Sequence, residues 1–183
     1  GHDALLVNTT GHSNTAVGNE ALEANTTANN NTAVGHKALE ANTTGSGNVA
    51  VGSLAGDAIT TASNNVAIGY ESLTNTTTGG SNVAVGKGSL SSNSTGDSNV
   101  AMGHNSLVFN STADNNTGLG HAALFTNTTG SENTAVGKEA LYTNNGSNNS
   151  AFGVTSMYAN TTGAQNTAVG QSSLKANTTG SNN

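Results

Sequence analysis

The chain has 183 residues, no cysteine and no proline, and a net charge of −6 with only 8% charged residues. Those numbers exclude a disulfide framework or a thiolate metal site and give nucleic-acid binding no electrostatic support. With no run of about 18 apolar residues, no membrane-spanning segment is expected either. Leu, Val, Ile and Phe supply 30 of the 183 residues, a share that points towards disorder when net charge is high. Here charge is low and the apolar residues fall in register, so regular stacking can bury them.

In chain order, the first unit runs from Gly1 to Asn14, Thr15-Ala16-Val17 and Gly18. The Asn then returns at Asn31, Asn48, Asn65, Asn82, Asn99, Asn116, Asn133, Asn149, Asn166 and Asn183. The step is seventeen residues, except for sixteen between Asn133 and Asn149. Each of these Asn residues but the last is followed four residues later by glycine, from Gly18 to Gly170. A strict period means one small unit stacked on itself. Residues 1–183 are expected to be a single array of about eleven coils, a window of a longer fibre.

Before each glycine lies a β-prone trio such as Thr15-Ala16-Val17, Val49-Ala50-Val51 or Val66-Ala67-Ile68. Alternation puts its first and third residues on one face and the alanine on the other. The third position is always apolar, and the series Val17, Val34, Val51 is expected to face inward. A second apolar series four residues past the glycine includes Leu22, Leu39, Leu73, Leu90 and Leu107. Together they predict two short strands per coil, with Asn-Thr-Thr-Gly as the return turn. Gly, Asn, Thr and Ser are poor helix formers, and no 3.6-residue stripe competes. The expected fold is all-β, a parallel β-solenoid (β-roll) of seventeen-residue coils. Eleven coils would span about 50 Å.

The alanine column from Ala16 to Ala168 calls for a close neighbour, either the opposite wall of a narrow coil or another chain. A coil with so little interior gains by sharing a core, so an intertwined or side-by-side homotrimer is expected. The column Asn14, Asn31, Asn48, Asn65, Asn82, Asn99, Asn116, Asn133, Asn149 and Asn166 reads as a structural ladder, each side-chain amide donating to the next. A catalytic residue would not be needed ten times over. The short coil loses its residue in the loop around Asn144-Asn145-Gly146, where deletions are tolerated.

Other columns carry candidate chemistry. Asn8, Asn25, Asn42, Asn93, Asn110, Asn127, Asn160 and Asn177 lie seven past a glycine with Thr two further on, and Asn75 is a ninth, shifted by one. They read as Asn-x-Ser/Thr glycosylation sites on surface turns, or as plain turn formers. Coil 52–69 has Ile59 where that Asn is expected. His104 and His121 stack in adjacent coils, as a metal ligand pair would, but tolerated surface histidines explain them better. Phe125, Tyr142 and Tyr158 form an aromatic ladder for stacking, with a carbohydrate strip as the sharper alternative. No Ser-His-Asp group, carboxylate pair or phosphate loop is present, so neither an enzyme nor a cofactor is expected.

The motif Asn-Thr-Ala-Val-Gly-x-x-Ala-Leu, as in residues 31–39 and 133–141, resembles the head repeats of trimeric autotransporter adhesins. Val66-Ala67-Ile68-Gly69 matches their core motif, and the Asn-Thr-Thr-Gly extension is similar to bacteriophage tail-fibre repeats. This repeat has seventeen residues where the adhesin repeat has fourteen. The resemblance implies a trimeric, extracellular, cell-surface or virion-attached shaft that contacts itself, as a homotrimer or filament, and a host-surface receptor or glycans. The alternatives are an N-glycosylated filament scaffold and an ice-binding solenoid. Against the last, Thr26-Thr27 and Thr43-Thr44 are adjacent and so point to opposite sides.

Overall fold

The computed structural model describes residues 1–183. Ten strands recur once per coil: β1 (Thr15–Val17), β2 (Thr32–Val34), β3 (Val49–Val51), β4 (Val66–Ile68), β5 (Val83–Val85), β6 (Val100–Met102), β7 (Thr117–Leu119), β8 (Thr134–Val136), β9 (Ser150–Phe152) and β10 (Thr167–Val169). They form one parallel sheet in sequence order. Equivalent residues pair throughout, as Ala50 with Ala67 and Ala67 with Ala84. The all-β parallel solenoid expected from the period is the fold.

The coil has one strand, not two. After the motif glycine the chain enters a turn in which the second and fourth residues take positive φ, as Glu20 (58°) and Leu22 (52°), or Glu71 (55°) and Leu73 (52°). A leucine in this conformation costs about 1–2 kcal/mol. It is held because its side chain enters the core and its N–H joins the next coil, as Leu73 N–H to Ser89 O at 3.1 Å. The periodicity located the leucines correctly, but their backbone is left-handed turn rather than extended chain.

The inward face of the strand is also reversed. Ala33, Ala50, Ala84, Ala101, Ala135 and Ala151 are fully buried, whereas Val17, Val51, Ile68, Met102, Phe152 and Val169 are exposed. The reason is the width of the coil. At Gly118, which replaces the inward alanine, an added Cβ would lie 2.7 Å from Ser106 Oγ and 3.3 Å from Leu107 Cδ1. An interior that barely admits a methyl group has no room for two β-branched side chains per strand. Alanine therefore packs against the opposite wall, the leucine column, and Val17, Val34 and Val51 point outward.

The motif glycines mark the corner where coils approach most closely. A Cβ on Gly69 (φ 131°) would sit 2.7 Å from the carbonyl carbon and oxygen of Gly86, so only glycine fits. The sixteen-residue coil keeps its β8–β9 register. Its missing residue falls between Asn144 and Gly146, and Asn145 Oδ1 spans the gap by accepting from Thr128 N–H (2.7 Å) and Thr128 Oγ1 (2.8 Å).

Candidate interaction surfaces and the polar interior

Sixteen of the 55 buried residues are asparagine. In the column from Asn14 to Asn166, each Oδ1 accepts the backbone N–H of the next Asn, as Asn48 N–H to Asn31 Oδ1 at 2.8 Å and Asn65 N–H to Asn48 Oδ1 at 2.9 Å. Each Nδ2 donates to a carbonyl fourteen residues on, or thirteen in the short coil, as Asn82 Nδ2 to Gly96 O at 2.8 Å and Asn133 Nδ2 to Gly146 O at 2.9 Å. The expected ladder is there, but it runs chiefly from backbone to side chain. Amide-to-amide bonds are regular in the other asparagine column. Asn25 Nδ2 donates to Asn8 Oδ1 (2.7 Å), Asn127 to Asn110 (3.0 Å), Asn160 to Asn144 (2.7 Å) and Asn177 to Asn160 (2.9 Å). The same nitrogens close their own turns, as Asn93 Nδ2 to Gly96 O at 2.9 Å.

That arrangement corrects the reading of this column as surface glycosylation sites. Asn25, Asn42, Asn93, Asn110, Asn127 and Asn160 are fully buried. A glycan is attached through Nδ2, and here every one of those nitrogens is consumed inside the coil. Asn8 and Asn177, in the first and last coils, are only partly covered but make the same turn bond. Asn75 is the exception. It is exposed, because Thr76 takes the buried slot in its coil.

The aromatic ladder forms as expected and is longer by one ring. Phe125 stacks on Tyr142, and Tyr142 on Tyr158, each with centroids 5.0 Å apart and planes within 7°. Phe109, one position along, meets Phe125 edge-on at 5.2 Å. Lys175 stands over Tyr158, 6.0 Å from its centroid. The ring faces are thus covered by one another, and a sugar stacks on an open face. The geometry fits coil-to-coil packing and not a carbohydrate strip. His104 and His121 stack with ring centroids 5.3 Å apart, flanked in the same column by Lys87 and Lys138. Cationic neighbours on both sides disfavour a metal ion there.

The acidic residues, which look scattered in sequence, line up once the coils are stacked. Glu23, Glu40 and Asp57 occupy one column, and the carboxylates of Glu20, Glu23 and Glu40 come within 4.8 Å of one another. Lys37 bridges Glu40 and Glu20, at 2.9 Å each. Its hydrogen bonds to Glu40 and Glu20 hold its ammonium well above the usual range, and the Lys37 hydrogen bond holds Glu20 low. Burial pushes the Asp57 carboxyl up, against a hydrogen bond from Thr74. A shallow depression of about 410 Å³ beside this cluster is lined by Val7, Glu23, Ala24, Glu40 and Ala41. The repeat position of these acids, counted from the motif glycine, would have revealed the column.

The largest feature without a partner is the outer sheet face. It carries Thr, Val or, in β9, Ser150 at the first strand position and an apolar residue at the third, ten coils in a row. Five of the first positions are threonine: Thr15, Thr32, Thr117, Thr134 and Thr167. Valine at 49, 66, 83 and 100 interrupts them, so this face carries no continuous hydroxyl array for ordering water. No helix of the protein is long and apolar enough to cross a membrane. No family model, no curated protein and no solved structure matches this chain.

Proposed function

We propose that the chain is a structural shaft or head segment of an extracellular or virion-attached fibre, giving reach and stiffness and carrying out no catalysis. The observation that carries this reading is the unbroken ten-stranded parallel sheet, in register from β1 to β10. At about 4.8 Å per strand it makes a straight element about 43 Å long. Continuous main-chain and amide ladders running along that axis resist bending and extension.

Copies of the chain associate as a homotrimer, through the outer sheet face rather than the alanine column. Alanine is spent inside the coil, whereas Val17, Val51, Ile68, Met102, Phe152 and Val169 leave an apolar stripe exposed, of the kind that marks an interaction site. A receptor or glycan would then be bound by parts of the fibre that the shaft presents.

Light scattering with small-angle scattering on the purified chain tests this proposal. An elongated particle of three chains supports it. A globular particle, or an elongated monomer at all concentrations, counts against the fibre or the trimer respectively.

A further inference from the structure

Charge beside β6–β8 divides by edge, except that Glu139 stands on the exit side, paired with Lys138. Asp97 lies just before β6, Asp114 before β7 and Glu132 before β8, all at the entry edge of the sheet. His104 follows β6, His121 follows β7 and Lys138 follows β8, at the exit edge, with Lys87 after β5 extending that column. All four exit-edge groups are exposed, as are Asp97 and Glu132, while Asp114 is half-buried. The acidic edge is pinned. Asp97 Oδ1 accepts Gly80 N–H at 2.6 Å, and Asp114 Oδ1 accepts Asp97 N–H at 2.7 Å. Between the edges lie the outward residues Val100/Met102, Thr117/Leu119 and Thr134/Val136, with no charge among them.

This pattern is complementary to itself in one orientation only. Rotating a copy about an axis along the rod brings strand entries of one chain beside strand exits of the other, with equal coils at equal heights. Asp97 then meets His104, Asp114 meets His121 and Glu132 meets Lys138. Turning the rod end over end instead sets like edges together.

We propose that the outer face of β6–β8 docks a second, parallel copy of this chain in register, with the acidic edge of one copy against the His/Lys edge of the other. The inference rests on the self-association proposed above and adds the residues that set its direction. The charges within reach of the two imidazoles are Lys87 and Lys138 in their own column, Glu139 (which holds Lys138 at 3.4 Å) and the facing acids. Facing carboxylates favour the protonated imidazoles, so the parallel assembly tightens as pH falls through the range in which histidine charges. An end-over-end assembly would put His beside His and loosen.

Sedimentation of the full chain at low salt, at pH 8 and pH 6, decides it, together with D97N/D114N/E132Q and H104Q/H121Q/K138Q. Asn at 97 and 114 keeps the oxygen that accepts the backbone N–H, and all six positions lie outside the buried core, so the coils stay folded. Association of the wild type should be tighter at pH 6. Each variant should weaken it about tenfold, and the pH effect should vanish in the second variant. A wild type that associates equally well at both pH values, or better at pH 8, with unaltered variants, overturns the edge pairing while leaving self-association standing. A wild type that is monomeric throughout overturns both.

Discussion

Asn42 Oδ1 is the one buried side-chain oxygen or nitrogen without a hydrogen-bond partner, and the residue stacked on it in the next coil is Ile59. Elsewhere in that column the following Asn donates to such an oxygen, as Asn25 does to Asn8. The Ile59 side chain has no N–H to give, and its backbone N–H goes to Gly56 O at 3.0 Å. It is there because the same coil has Gly56 at the leucine position, and the isoleucine side chain fills the space from the asparagine side. A Cβ on Gly56 would lie 2.9 Å from Ile59 Cδ1 and 3.2 Å from Leu39 Cδ2. Two departures from the repeat therefore compensate each other.

The compensation predicts strong coupling. Gly56→Leu alone should overpack the core and destabilise by about 1–3 kcal/mol, and Ile59→Asn alone should leave a cavity and cost about 2–5 kcal/mol. The double variant restores the repeat. It should be at least as stable as the wild type, since satisfying Asn42 recovers about 1–3 kcal/mol. Thermal unfolding of all four chains completes the cycle, and additive losses would contradict it.

Ala84 is fully buried inside the coil. Ala84→Leu should lower stability by about 1–3 kcal/mol through overpacking. Because the contact is within one chain, the loss should be the same at every protein concentration in denaturant titrations. A loss seen only where chains associate would instead place the alanine at an interface.

The Asp57 carboxyl is raised by burial, and the sign of its pH effect follows. The folded state binds the proton more tightly than the unfolded state, so this group costs stability above its folded pKa, and the cost disappears as pH falls below its unfolded value. Asp57→Asn should therefore raise the melting temperature at pH 7, with the gain shrinking towards pH 3. A larger gain at pH 3 than at pH 7 would reverse the assignment.

Secretion through a glycosylating host separates buried from exposed asparagines. Asn75 should accept a glycan, whereas Asn42, Asn93 and Asn110 should remain unmodified in peptide maps of folded protein. Occupied Asn93 would mean that the amide column forms only after modification, or not at all.

Much of this architecture is legible in the residues, because a ladder needs the same side chain at the same height. The seventeen-residue step, the asparagine columns, the deletion at Asn144-Asn145-Gly146 and the stacking of Phe125, Tyr142 and Tyr158 all follow from counting. The direction in which the strand faces does not. Alternation separates Ala50 from Val49 and Val51, but hydrophobicity alone favours burying valine. Only the coil width, set by the leucine opposite, makes alanine the residue that fits. The turn geometry was hidden for a related reason, since leucine disfavours positive φ and gives no local warning of it. The sequons misled because Asn-x-Thr fits a buried amide ladder as well as a glycan site. The sorted charge at β6–β8 was visible only after stacking, as Asp97 and His104 belong to opposite ends of one strand.

Cysteine labelling tests the central claim most directly, because the chain has no cysteine of its own. A50C and V51C place a thiol on the two faces of β3, one residue apart. Treated with a maleimide under native conditions, V51C should react within minutes when dilute and become protected as chains associate, and A50C should stay unreactive until the protein is unfolded. Fast labelling of A50C with a protected V51C in dilute, monomeric protein would turn the strand over and contradict the account.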